Sequence, residues 1–227
     1  AQIGFVNDLL QKHIGNDLKE DDVLRDCTEY RIVYRHVARP TDERTFIAAV
    51  IPKGVVCHNA LTTIRPYDIS ADESDLSTNP LHTVYEKVFT DRELFACLGL
   101  LNSLSFDYLM RTKIDSNIVM YKFKESQIPR LTNGDQWFKY IWERAAKLNC
   151  YGDEFADMRE RLGIEPVTEM SKRRQLRAEI DAASFHTIGL NESEVEYILE
   201  NFHRVSNPRI MNDDYFKSVL SKFRSLQ

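Results

Sequence analysis

The chain has 227 residues, with 30 Lys and Arg against 35 Asp and Glu, a formal net charge of -5 and 43% hydrophobic residues. This is the composition of a folded globular protein, not a disordered or fibrous one, and the length suits one domain or two small ones. No stretch approaches ~18 uninterrupted apolar residues, and the N-terminus lacks the basic and apolar regions of a signal peptide, so no membrane partner and a cytoplasmic location are expected.

The charge is unevenly distributed: -4 over residues 1–30, +4 over 31–65, -5 over 66–93, +2 over 94–130 and -2 over 131–227. No single-sign basic field runs through the chain, but a local basic face of modest strength is allowed. Cys27, Cys57, Cys97 and Cys150 form no CxxC pair, and reduced core thiols are expected.

In chain order, residues 29–64 read as β structure. Tyr30, Ile32 and Tyr34 alternate with Arg31, Val33 and Arg35, the period of a half-buried strand. Pro40, Thr41, Asp42 and Glu43 form a turn, and the apolar run 45–51 predicts a strand covered on both faces. Pro52-Lys53-Gly54 turns the chain into a third strand at 55–58, giving an antiparallel meander. Residues 66–80 read as a loop. Thr90 with Glu93 three residues on is a capping box, and it opens a helix expected to run to about Arg111. A strand is expected over 117–123, closed by Pro129. Helices follow: one through Trp137, Ile141 and Arg144, one over 153–162 ending at Gly163, one over 171–187 ending before Gly189, one opened by Asn191 with Glu194, and a last one from Asp213. The fold class is thus α+β, an antiparallel-strand lobe over 1–130 followed by a mostly helical lobe over 131–227.

Motifs for a self-contained enzyme are missing. The eight glycines assemble no phosphate-cradling loop, no HExxH or GxSxG occurs, and the six histidines stand far apart. Asp17-Leu18-Lys19 has the shape of a nuclease metal site but sits in a polar, non-strand context. Asn79-Pro80 and Asn207-Pro208 are not followed by the residues that hold a flipped adenine. No catalytic residue and no metal ligand is assigned.

Three stretches resemble a known family. YRIVYRHVARPTDERTFIAAVIPKGVVCH, ending at His58, carries a pattern of Arg35, Ala38, Thr41, Asp42, Glu43, Arg44, Thr45 and Pro52. LLNSLSFDYLMRTKIDSNIVMYKFKESQIPRL, from Leu100, carries Asn102-Ser103, Phe106-Asp107-Tyr108 and Arg111 before a strand and Pro129. RAEIDAASFHTIGLNESEVEYILENF, ending at Phe202, places Gly-Leu before a helix with a Tyr-Ile-Leu-x-x-Phe ending. Together, in this order, they are similar to the C-terminal region of type IIG and type ISP restriction-modification enzymes and related N6-adenine DNA methyltransferases. The specificity subunits of type I systems share a looser version of the second stretch. The acidic segment 66–93 departs from the shorter apolar connection of that pattern. The resemblance implies a target recognition domain plus a helical segment, with double-stranded DNA and an upstream methyltransferase domain as partners. S-adenosylmethionine and Mg belong to the resembled full-length enzyme; no cofactor and no methyl transfer are expected of this chain. The alternative reading is an interaction module that docks a partner domain without reading DNA.

The candidate DNA-binding residues follow from residue chemistry. Arg31, Arg35 and Arg39 share one parity of the first strand, and each guanidinium suits a fork of bonds to guanine or phosphate. They equally suit the wet face of a strand or pairing with Asp42 and Glu43. Arg44 follows the turn, and Lys53, His58, Asn59 and Arg65 sit at strand ends, where a scaffold presents recognition groups. Arg111, Lys113, Asn117 and Lys122 make a second cluster. Arg111 and Lys113 stand at a helix C-terminus, which favours cations whatever the function.

Overall fold

The computed structural model describes residues 25–69, 85–202 and 207–227. Strand β1, Arg31–Arg35, has the β-branched and aromatic centre that suits a pleated, packed strand, and it lies in the middle of a three-stranded sheet. Its neighbours are β2, Ala48–Ile51, and β3, Leu61–Thr63, in the order β2-β1-β3. Both pairings are antiparallel: Arg31 faces Ile51 and Tyr34 faces Ala48 on one side, while Val33 faces Thr63 and Arg35 faces Leu61 on the other.

Strands β2 and β3 therefore run parallel, and the 52–60 connection has to cross one face of β1. Arg31 shows which face: its Nη2 donates to the Val55 carbonyl at 2.5 Å. This corrects two expectations. Residues 55–58 form no strand but lie in the crossover, and the third strand begins at Leu61, so the sheet is not a simple meander. The first strand is not half-buried either. Arg31 and Val33 are each 3% exposed, because the crossover covers the face that alternation assigned to solvent. In place of a continuous strand over 45–51, β2 begins only at Ala48, since the N–H groups of Thr45 and Phe46 turn away to a carboxylate.

A second, two-stranded sheet pairs β4, Tyr67–Ile69, with β5, Tyr85–Lys87, so the start of the expected loop at 66–80 is a strand. Residues 70–84 of the acidic segment lie outside the described residues, as do Asp17-Leu18-Lys19, Asn79-Pro80 and His13, His82 and His203.

The predicted capping box is present. Thr90 Oγ1 accepts from Glu93 N at 3.3 Å and Glu93 Oε2 accepts from Thr90 N at 2.9 Å, opening α1, Asp91–Leu101. The helix does not continue to Arg111. Ser103 adopts an extended N-cap conformation and its Oγ accepts from Phe106 N, starting a separate α2, Leu104–Lys113. The strand expected over 117–123 is instead an isolated bridge between Val37 and Asn117, then the short helix α3, Met120–Lys124. Val119 and Phe123 are four apart as well as even-spaced, so a run this short fits both periods, and Phe123 is drawn down to stack on Tyr34 at 4.8 Å.

The later helices form as read: α4, Phe138–Asn149; α5, Ala156–Leu162, stopped by left-handed Gly163; α6, Met170–Thr187; α7, Glu192–Phe202, opened by reciprocal Asn191–Glu194 bonds; and α8, Asp213–Ser225, capped by Asn212. An N-terminal antiparallel sheet region is thus followed by a mostly helical one.

One apolar core packs Ile32, Tyr34 and Phe46 against Phe95 and Leu98 of α1, and continues to Trp142 and Ala146 of α4. A second joins α6, α7 and α8 through Phe185, Leu199 and Phe223, with Leu104 of α2 inserted. Both draw residues from either side of position 130. Helix α1 crosses α4 closely at Gly99, where an added Cβ would sit 2.5 Å from Ile141 Cγ2.

Candidate nucleic-acid interface and the frame behind it

The turn between β1 and β2 is held from inside by one carboxylate. Asp107 on α2 is 0% exposed. Its Oδ2 accepts from Arg44 Nε at 2.6 Å and its Oδ1 from Arg111 Nε at 2.9 Å. The same group accepts from Thr45 N at 3.0 and 3.1 Å and from Phe46 N at 3.4 Å. Arg111 then donates to three turn carbonyls, Pro40 at 2.7 Å, Asp42 at 2.6 Å and Glu43 at 2.7 Å, and its guanidinium lies 4.4 Å from the Phe202 ring centroid. Arg35 closes the turn from the strand side, donating to Asp42 Oδ2 at 3.1 Å and to the carbonyls of Arg44 and Thr45.

Glu43 ties the turn to the C-terminal region, accepting from Ile210 N at 2.5 Å and Met211 N at 2.7 Å. Burial pushes its carboxyl up, but these backbone donors hold it below the ordinary glutamate value. Burial likewise works against the charge on Arg44, and the carboxylates of Asp107 and Asp181 more than restore it. Asp181 of α6 sits behind this network, accepting from Leu104 N at 2.8 Å and from the Tyr215 hydroxyl at 2.5 Å. Its burial raises its pKa to about 6.

The outer edge of β2 is sealed by two asparagines. Asn102 exchanges a pair of hydrogen bonds with the backbone of Ala48, both 2.9 Å, and Asn149 does the same with Val50, both 3.0 Å. Each side-chain amide takes the place of a neighbouring strand.

The twelve sequence-derived residues divide accordingly. Arg35, Arg44 and Arg111 turn inward onto the 39–45 turn. Arg31 lies under the crossover, where its Nε and Nη1 are buried without a hydrogen-bond partner among the described residues. Lys113 Nζ donates to Glu125 O and Ser126 Oγ, both at 3.1 Å, and Lys122 pairs with Asp115 at 3.6 Å. Lys53 is 3.9 Å from Glu29 and over the Tyr30 ring, at the Arg31 end of the sheet, and Arg65 is exposed at that same end.

Arg39, His58, Asn59 and Asn117 are exposed at the opposite end. Their segments run side by side: His36 N donates to Ala60 O at 2.9 Å, Ile118 N to His36 O at 2.7 Å and Ala38 N to Ser116 O at 3.2 Å. Val37, bridged to Asn117, is 62% exposed on the same strip.

Reading the sequence missed Asn149, Asp181 and Tyr215 as organising residues. Each lies in a helix without a motif of its own, and its partner lies far away in sequence. Asn102 and Asp107 were marked only as members of the resembling pattern. Among the described residues no group of three or more His, Cys, Asp or Glu is placed to hold a metal ion, and no helix is long and apolar enough to cross a membrane. No protein-family model, curated protein or solved structure matches the chain.

Proposed function

We propose that this chain reads double-stranded DNA as the target recognition part of a restriction-modification or N6-adenine DNA methyltransferase enzyme, positioning the duplex for an upstream methyltransferase domain. The observation that carries the reading is the strip at one end of the sheet, where Arg39, His58, Asn59 and Asn117 are exposed on three segments joined by backbone hydrogen bonds. A hydrogen-bonded scaffold limits the ordering cost of displayed side chains when a ligand arrives. Arg39 suits a phosphate contact, and the amides of Asn59 and Asn117 suit the N6/N7 edge of adenine in the major groove. Arg35, Arg44 and Arg111 act through the turn they hold, not by touching DNA. S-adenosylmethionine would bind the methyltransferase domain, not this chain.

A second reading, docking of a partner protein, is favoured by the exposed apolar side chains of Val37 on the strip, of Tyr121, 60% exposed, in α3, and of Val56, 81% exposed, in the crossover. Fluorescence anisotropy with a pool of random-sequence duplexes separates the two. Because the net charge is -5, the chain alone should bind weakly, with Kd of about 10⁻⁴ to 10⁻⁶ M, and the affinity should fall as salt rises. The combined Arg39→Gln, Asn59→Ala and Asn117→Ala variant should lose that binding while keeping its melting temperature. Absence of salt-dependent binding, or binding unchanged in the variant, would overturn the DNA reading in favour of docking.

A further inference from the structure

A groove of about 580 Å³ opens beside the sealed edge of β2, on the side of the sheet away from β3. Of the twelve residues drawn from the sequence only Arg44 reaches it, so it is a different place from the proposed DNA strip. Its walls are largely apolar, with Ala49, Leu98, Leu148 and Ile180 among them. Among the described residues the charged groups on it are three arginines, Arg44, Arg173 and Arg177, against the single carboxylate of Glu154.

The arginines are not equally occupied. Arg44 is held by Asp107. Arg173 donates to Val167 O at 2.7 Å and stands 5.9 Å from the ring centroid of Tyr151. Arg177 is half-buried and has no hydrogen-bond or ion-pair partner among the described residues. Burial, with the like charges of Arg173 and Arg44, depresses its pKa below the ordinary arginine value, against the opposing pull of Tyr215 and Asp181. A guanidinium taken partly out of water without an acceptor is costly, and an anion placed against it offsets that cost.

We propose that this groove binds a small organic anion, its acidic group on Arg177 and Arg173 and its apolar body on the wall of β2, α1 and α4. The size lies within the range of small-molecule sites, which combine apolar walls with a few convergent polar groups. A peptide is the weaker occupant. It would have to add along the edge of β2, and the backbone groups there already belong to Asn102 and Asn149.

The test uses the dye 8-anilinonaphthalene-1-sulfonate, an anion with an aromatic body, beside the uncharged N-phenyl-1-naphthylamine. Saturable binding of the anionic dye to the whole chain is expected, with about tenfold loss in Arg177→Gln, the loss of one charge-assisted contact. The uncharged dye should respond little to that change, and Ala49→Trp should block both. Arg173→Gln serves in place of Arg177→Gln if circular dichroism shows that the latter does not fold. Equal binding of the two dyes, affinity for the anionic dye unchanged in the arginine variants, or displacement by acidic peptides but not by small organic phosphates and carboxylates would each overturn the proposal.

Discussion

Replacing Asp107 with Asn tests whether the 39–45 turn is held as described. Asn keeps the shape and one carbonyl oxygen, so a backbone donor from Thr45 or Phe46 can still be met. It removes the charge that faces Arg44, whose side chain is 18% exposed, and Arg111, whose side chain is 12% exposed. Removing one partner of a buried ion pair costs about 3–5 kcal/mol, because the remaining charge is left without compensation. Two guanidiniums are affected here. Arg111 keeps its three carbonyl acceptors and Arg44 keeps Asn102 O at 2.5 Å, which soften the loss, so the total is expected within the same ~3–5 kcal/mol. Urea unfolding followed by circular dichroism measures it. The double variant with Arg44→Met should lose less than the two single changes added together, since it removes the stranded charge as well. A loss below about 1 kcal/mol for Asp107→Asn, the value of an exposed pair, would show that the carboxylate does not organise the turn.

Three further outcomes are expected. Asp181 has a folded-state pKa raised from the ordinary 3.8 to about 6, so its contribution favours the native state fully below pH 3.8 and is lost as pH rises through about 6. The unfolding free energy of the wild type should therefore fall relative to Asp181→Asn by about 2 kcal/mol between pH 4 and pH 7.5, and a pH-independent difference would refute the burial argument. Gly99→Ala forces a methyl toward Ile141 and should destabilise by about 1–3 kcal/mol in thermal or urea unfolding; a neutral result would mean that α1 and α4 are not in close contact there. Arg31→Met removes two buried donors that lack partners among the described residues while losing one bond to Val55, so stability should be unchanged or higher by about 1 kcal/mol. A loss above about 2 kcal/mol would reveal an acceptor for that guanidinium.

Helix boundaries with local causes were legible in the sequence. Thr90 with Glu93, Asn191 with Glu194, and Gly163 each act within one turn of chain, so the residues involved are neighbours on the page as in space. The order of a strand-rich region before a helical one was legible for the same reason. The break at Ser103 was not, although the residue is a good N-cap. The apolar spacing runs straight through it, and the helix yields because Asn102 is committed to Ala48 and Asp181 accepts from Leu104 N.

Alternation along β1 correctly placed Ile32 and Tyr34 toward the core, but it says nothing about what lies on the other face. That face is covered only because β2 and β3 flank β1 and the connection between them has to pass over it. The same distinction separates the arginines. The sequence by itself determined that residues 31–65 are rich in cations set among apolar strands. Only the tertiary structure decided that Arg35, Arg44 and Arg111 turn inward while Arg39 stays outside, because a guanidinium goes where an acceptor meets it, and the main acceptor, Asp107, lies more than sixty residues away in sequence from Arg44.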